Sequence, residues 1–165
     1  MSFDLVKFAD HYKSQLYEFY LDPDGWRKFS TPHSLAWKKV RFSEANRSLI
    51  PTQRGIYAFT VEHTPSKFPG HGYILYLGIS GDTSASNLRR RYGQYLVNQK
   101  TGKGRPRVAY MLQKWPEDLF FSYCSLPDPV VNLAKLETSL LGTLNPPINQ
   151  KDFPAEITAA RKARF

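Results

Sequence analysis

Cys124 is the single cysteine of this 165-residue chain. It cannot form an internal disulfide, and a zinc site built on several thiolates is excluded. Long hydrophobic runs are missing too: no stretch reaches the roughly 18 unbroken apolar residues of a membrane span. The opening MSFDLVKFAD carries acids and no apolar h-region, which predicts neither a secretory signal nor a transit peptide, so a soluble, cytoplasmic protein is expected. Internal repeats and low-complexity tracts are also absent. Acids are scarce: 14 Asp and Glu stand against 23 Lys and Arg, giving a net charge of +9. That balance favours a polyanionic partner such as nucleic acid, although anionic membranes and acidic proteins attract basic chains as well.

The remaining composition is that of a folded chain, and its length suits one domain with a modest extension. Between Phe3 and Tyr20, the apolar residues Leu5, Val6, Phe8, Ala9, Tyr12, Leu16 and Phe19 recur at spacings of three and four, a helical stripe that ends near the turn DPDG. Residues 26–50 mix Trp26, Phe29, Trp37, Val40, Phe42 and Leu49 with basic side chains and read as mixed helix and loop. RGIYAFTVEH and YILYLGIS read as two strands around the turn-rich TPSKFPGHG. SASNLRRRYGQYLVNQ predicts a helix capped by Ser84 or Ser86, with Leu88, Tyr92, Tyr95 and Leu96 facing inward. VAYMLQKW is a short helix and DLFFSYCSL a third strand. VVNLAKLETSLLGTL then runs helically from PDP to NPP, and PAEITAARKARF forms a final basic helix. The expected fold is α+β, a small three-stranded antiparallel sheet flanked by helices, with an N-terminal helical extension. The segments are 1–53 (extension packed on the same domain), 54–150 (core) and 151–165 (basic helix or tail).

Two features exceed what a core requires. With Leu133 set at zero and a step of about 100° per residue, Leu136, Leu140, Leu144 and Leu141 fall near 300°, 340°, 20° and 80°, and Glu137 falls at about 40°, inside the apolar arc. A carboxylate there needs a partner: an arginine in a structural ion pair, or a hard divalent cation that takes only one or two protein carboxylates. The second feature is the strand GYILYLGIS, which places Tyr76 and Gly78 where leucine or valine would pack as well. Tyr57 in GIY is its counterpart, and antiparallel pairing brings both hydroxyls to one pocket if the register puts them on one face. Gly55 and Gly78 permit close backbone approach; a tight turn beside Tyr76 is the expected reason for Gly78.

In order, GIY, YLG, NLRRRYGQY and LETSLLGTLNPPIN resemble the motifs of the GIY-YIG nuclease superfamily over residues 54–150. The resemblance implies a divalent-metal-dependent endonuclease that hydrolyses DNA phosphodiesters, leaving 5′-phosphate and 3′-hydroxyl ends, of a restriction or defence type. The implied catalytic set is Tyr57, Tyr76, Arg91, Tyr95, Glu137 and Asn149. Glu137 would bind Mg²⁺ or Mn²⁺, Arg91 hold a phosphate oxygen and Tyr57 take a proton from water, with its pKa lowered by the cations of LRRRY. Tyr76 would orient that water, Tyr95 contact phosphate and Asn149 position the backbone. Arg89 and Arg90 compete with Arg91 for its role, and Asn145 competes with Asn149, although Asn145 is well placed simply to end the helix.

Two departures from the family pattern stand out. The loop between the first two strands is long, and Ile79 stands where the family often has lysine, so His63, Lys67 or His71 is a candidate replacement. Arg89, Arg90, Lys100, Lys103, Arg105 and Arg107, with Arg161, Lys162 and Arg164 of the tail, are candidates for tracking a phosphate backbone. The expected partner is DNA, with no membrane. Cutting both strands with one site requires a homodimer or two successive nicks. A nucleic-acid-binding module that kept the fold and lost catalysis is the alternative.

Overall fold

The computed structural model describes residues 4–63 and 68–164. Strand β1 (Lys38–Arg41) is followed by a 3-10 helix (Glu44–Leu49), and then by β2 (Gly55–Glu62) and β3 (Gly72–Ser80). β4 (Leu119–Ser125) completes one antiparallel sheet in the order β1-β4-β2-β3. The sheet therefore has four strands where the sequence predicts three. The additional one, KKVR, lies in the segment read as helix and loop. It is short, basic and exposed except for half-buried Val40, so no alternating apolar pattern marks it. Its lysines also suit an edge that must not recruit another chain.

Helices cover both faces of the sheet. On one face, Tyr57, Phe59 and Phe121 pack against Tyr92, Tyr95 and Leu96 of α3 (Leu88–Thr101) and Met111 and Leu112 of α4 (Pro106–Lys114). On the other, Ile56, Leu77 and Cys124 meet Leu133, Leu136, Leu140 and Leu141 of α5 (Leu133–Leu144). Each of these leucines contributes about 1.5–3 kcal/mol by burial. The period-2 alternation of Ile56, Tyr57 and Phe59 sends aliphatic residues one way and aromatic residues the other.

Helix starts follow local chemistry. The cap of α3 is Asn87, whose side chain accepts from the Arg90 amide at 2.9 Å; neither Ser84 nor Ser86 fills that role. α5 begins beyond PDP, capped by Asn132. Asn145 ends α5 in the left-handed conformation, with φ of 45°.

In the N-terminal region, α1 (Leu5–Gln15) is shorter than its stripe, and α2 (Pro23–Lys28) follows an extended segment. None of the α1 residues is buried, whereas Phe19 of the extended segment packs on Tyr73 with ring centroids 4.6 Å apart. The chain ends in α6 (Ala155–Ala163). No described helix is long and apolar enough to cross a membrane.

Candidate active site

The register of β2 and β3 decides where the tyrosines point. Tyr57 pairs with Gly78 and Phe59 with Tyr76, so Tyr57 and Tyr76 share a face. A bulge follows immediately, since Thr60 pairs with Ile74 and Leu75 is the extra residue. Bulges of this kind re-aim the adjoining side chain.

Gly78 sits inside β3, not in a turn; the positive φ belongs to Gly81, at 85°. A Cβ at Gly78 would lie 2.5 Å from the Tyr57 hydroxyl oxygen, and this close approach is what requires glycine. The Tyr57 hydroxyl is thereby held over the strand, 2.7 Å from that of Tyr95 on α3.

All six expected site residues line one cavity of about 570 Å³. Tyr57 and Tyr76 reach it from the sheet, Arg91 and Tyr95 from α3, Glu137 from α5 and Asn149 from the segment beyond α5. Asn149 is 6% exposed and grips β3: its side chain accepts from the Leu77 amide at 2.9 Å and donates to the Leu77 carbonyl at 2.8 Å. With the Ile148 amide donating to Leu75 O at 3.0 Å, residues 148–149 satisfy part of the β3 edge. The competing Asn145 serves as a helix end, and its side-chain oxygen accepts from Arg161.

Glu137 is half-buried at the border of the leucine face. Among the described residues it forms neither an ion pair nor a hydrogen bond, so the structural-pair reading is not realised. Its pKa is raised to about 7, by burial first and then by Asp152, with Arg105 pulling the other way. Asp152 and Asp82 also line the cavity. The described residues contain no cluster of three or more His, Cys, Asp or Glu placed to hold a metal. An unpartnered carboxylate facing an open, oxygen-lined cavity nonetheless fits a hard divalent cation that completes its shell with water and an anionic ligand.

Arg91 commits one guanidinium nitrogen to Gln94 at 2.9 Å, while its Nε is buried without a partner. A buried unsatisfied donor on a cavity wall is suited to an anion. Its neighbours are already occupied. Arg89 donates to the Ile50 and Ser48 carbonyls at 2.6 and 3.0 Å, tying α3 to the 3-10 helix, and exposed Arg90 donates to Ala85 O at 3.3 Å. This separates the three adjacent arginines: of them, Arg91 alone lines the cavity.

The tyrosines depart from expectation. Burial pushes the Tyr57 pKa well above the usual phenol value, with Tyr95 and Tyr76 adding to the effect and Arg91 opposing it. Tyr95 is raised by burial and then by Tyr76. The cations of LRRRY therefore do not acidify Tyr57, because desolvation of a buried phenolate outweighs one nearby guanidinium. Tyr95 meets Tyr57 directly, so its hydroxyl is not a free phosphate contact.

The cation beside Tyr76 is Arg105, which donates to its hydroxyl at 3.2 Å. His63 and His71 lie beyond the far end of β2 and β3, their rings 6.0 Å apart, and do not line the cavity; Lys67 lies outside the described residues. Ile79 lines the cavity and packs toward the leucine face.

Of the expected phosphate-tracking residues, Arg105 and Arg107 line the cavity and Lys103 does not. Lys100 pairs with Glu44 at 3.4 Å and Arg164 with Glu18 at 2.6 Å. Arg161 is structural: it donates to Asn145 and to Asn149 O and stacks on Phe153 at 4.2 Å. Lys162 is exposed. Asp82 and Asp152 escaped the sequence reading because neither interrupts an apolar pattern. Asp152 adopts a φ of 69°, a conformation that no residue-spacing rule signals.

Comparison with protein-family models, curated proteins and solved structures finds no match to this chain. The functional reading rests on the geometry and the motifs.

Proposed function

We propose that the chain is a divalent-metal-dependent endonuclease of the GIY-YIG type that hydrolyses DNA phosphodiesters. The observation that carries this reading is the convergence of Tyr57, Tyr76, Arg91, Tyr95, Glu137 and Asn149 on one cavity, with the Glu137 carboxylate unpartnered. The net charge of +9 supports a polyanionic substrate.

Glu137 would hold Mg²⁺ or Mn²⁺, which when bound polarises the scissile phosphate and stabilises the leaving oxygen. Arg91, which lines the cavity, gives guanidinium N–H groups to a phosphate oxygen and offsets the charge that develops as water attacks phosphorus. The phosphorus to O3′ bond breaks, O3′ takes a proton from water in the cavity, and the phosphate stays on O5′ of the downstream nucleotide.

Tyr57 is a neutral phenol at pH 7, so it acts as a relay: it accepts the proton of the attacking water as its own hydroxyl proton passes to Tyr95, whose proton leaves to water in the cavity that both residues line. The Tyr57–Tyr95 hydrogen bond fixes the orientation of that relay. Arg105 holds Tyr76 beside it, where the hydroxyl orients the water. Asn149 acts at one remove, by holding the β3 backbone that carries Tyr76 and Gly78. One such site cuts one strand, so double-strand cleavage requires a homodimer or two successive nicks.

The test is incubation of the purified protein with plasmid, linear duplex, branched and single-stranded DNA in Mg²⁺, Mn²⁺ or EDTA, with Glu137→Gln in parallel. Metal-dependent cutting that the variant lacks is the expected result. Tight binding without cutting by the native chain would overturn the enzymatic reading in favour of a non-catalytic nucleic-acid-binding module.

A further inference from the structure

A second hollow, of about 960 Å³, lies next to the first, and the two share Arg107 and Ile148 on their walls. One side is the extended segment Leu16–Tyr20 after α1; the other is α4, the turn after α5 and α6. Four aromatic rings line it: Tyr17, Phe19, Tyr20 and Tyr110. Tyr110 and Tyr20 are 51% and 39% exposed, more than a ring serving only as core filler would be.

Charge on the walls is one-sided. Arg107, Arg161 and Arg164 are present, and the one acid among the lining residues, Glu18, is paired with Arg164 at 2.6 Å. Arg107 has no hydrogen-bond or ion-pair partner among the described residues. The guanidinium of Arg161 carries a lowered pKa, by burial first and then by repulsion from Arg107. With Arg161 committed to Asn145 and Asn149 O and Arg164 to Glu18, Arg107 is the cation of this wall left to meet an anion beside the aromatic rings.

We infer that this hollow binds an unpaired stretch of DNA strand continuing from the cleavage cavity, with Arg107 holding a phosphate at the junction and Tyr110 and Tyr20 stacking on its bases. The inference rests on the nuclease reading for its substrate class and adds the form of that substrate. Bases within a duplex have both faces covered by their neighbours, whereas a single strand offers bare faces that aromatic side chains can take without regard to sequence. The same rings beside an unneutralised arginine combine stacking with backbone attraction. The segment after α1 thereby gains a role that its position outside the motif-bearing region does not suggest.

Fluorescence anisotropy in EDTA, at fixed salt, compares a blunt duplex with the same duplex bearing a short single-stranded flank that contains 2-aminopurine. The flanked duplex binds about tenfold tighter, and its 2-aminopurine emission is quenched. Tyr110→Ala brings the ratio of flanked to blunt affinity to about one, and Tyr110→Trp restores it. Both changes are at an exposed ring, and melting temperature verifies that each variant is folded. Equal binding of flanked and blunt duplexes, or a ratio indifferent to Tyr110→Ala, overturns the inference. Native protein that cuts DNA but shows no flank preference sinks this inference alone. Flank preference with quenching, but without metal-dependent cutting, upholds the hollow and removes the nuclease reading instead.

Discussion

The two faces of the sheet are built from different chemistry. The face under α5 is aliphatic, with Leu133, Leu136, Leu140 and Leu141 against Ile56 and Leu77. The face under α3 and α4 is aromatic, and Tyr57, Tyr76 and Tyr95 carry their hydroxyls to a cavity at its border. An aliphatic face can only pack, and changes to it act on stability. An aromatic face buries comparable area and also orients polar atoms, so its hydroxyls can be removed with the packing largely kept. Glu137 stands at the border between the two, on the aliphatic helix but facing the cavity.

The largest effect sharpens this contrast. Glu137→Gln is expected to reduce DNA cleavage by about 10³-fold or more while leaving the protein folded. Initial cleavage rates with circular dichroism on the same preparation measure both; a variant that cuts at the native rate would remove Glu137 from the chemistry. Leu140→Ala, one turn along the same helix, should do the reverse. It costs about 2–5 kcal/mol in urea unfolding and leaves the cleavage rate per folded molecule unchanged.

Asn149→Ala crosses the division. It strips two partners from the buried Leu77 backbone, for a loss of about 2–4 kcal/mol, and loosens the strand that carries Tyr76. Urea unfolding with hydrogen exchange at Leu77 reads it, and an unchanged exchange rate there would show that the clamp is not needed. Gly78→Ala should cost about 1–3 kcal/mol, because the new methyl meets the Tyr57 hydroxyl at 2.5 Å. The ring carbon Cζ of Tyr57 lies 2.7 Å from the same point, so the double variant Gly78→Ala, Tyr57→Phe should recover only part of the loss in urea unfolding, and full recovery would locate the clash at the oxygen alone.

The smallest effect is a pH dependence. The native-state pKa of Glu137 is raised to about 7, so the stability tied to its neutral form is fully present below the ordinary carboxylate value and lost as pH rises through 7. Metal-free native protein therefore loses a few degrees of melting temperature between pH 5 and 8 relative to Glu137→Gln, and Mg²⁺ restores them. Parallel melting curves for the two proteins across that range would contradict the shift.

Much of the architecture was legible because it is local. Apolar runs rich in strand-favouring residues marked β2 and β3, a leucine stripe marked α5, and one carboxylate inside that stripe marked Glu137. β1 was not legible, since a four-residue basic edge strand takes its identity from pairing with β4. The adjacent arginines also looked alike. Only Arg91 faces the cavity, because Arg89 meets carbonyls 39 and 41 positions away.

The sequence by itself determined which faces of which elements are apolar, where the tyrosines and the glutamate interrupt them, and where α5 stops. Those properties follow from helix and strand periods and from the fixed chemistry of asparagine and proline. Tertiary structure alone decided that Tyr57 meets Tyr95, that Gly78 makes room for a hydroxyl and that Arg105 meets Tyr76. It also decided that Tyr57 becomes a weaker acid rather than a stronger one. Each of these depends on distance and desolvation between residues far apart in the chain, and periodicity carries no record of either.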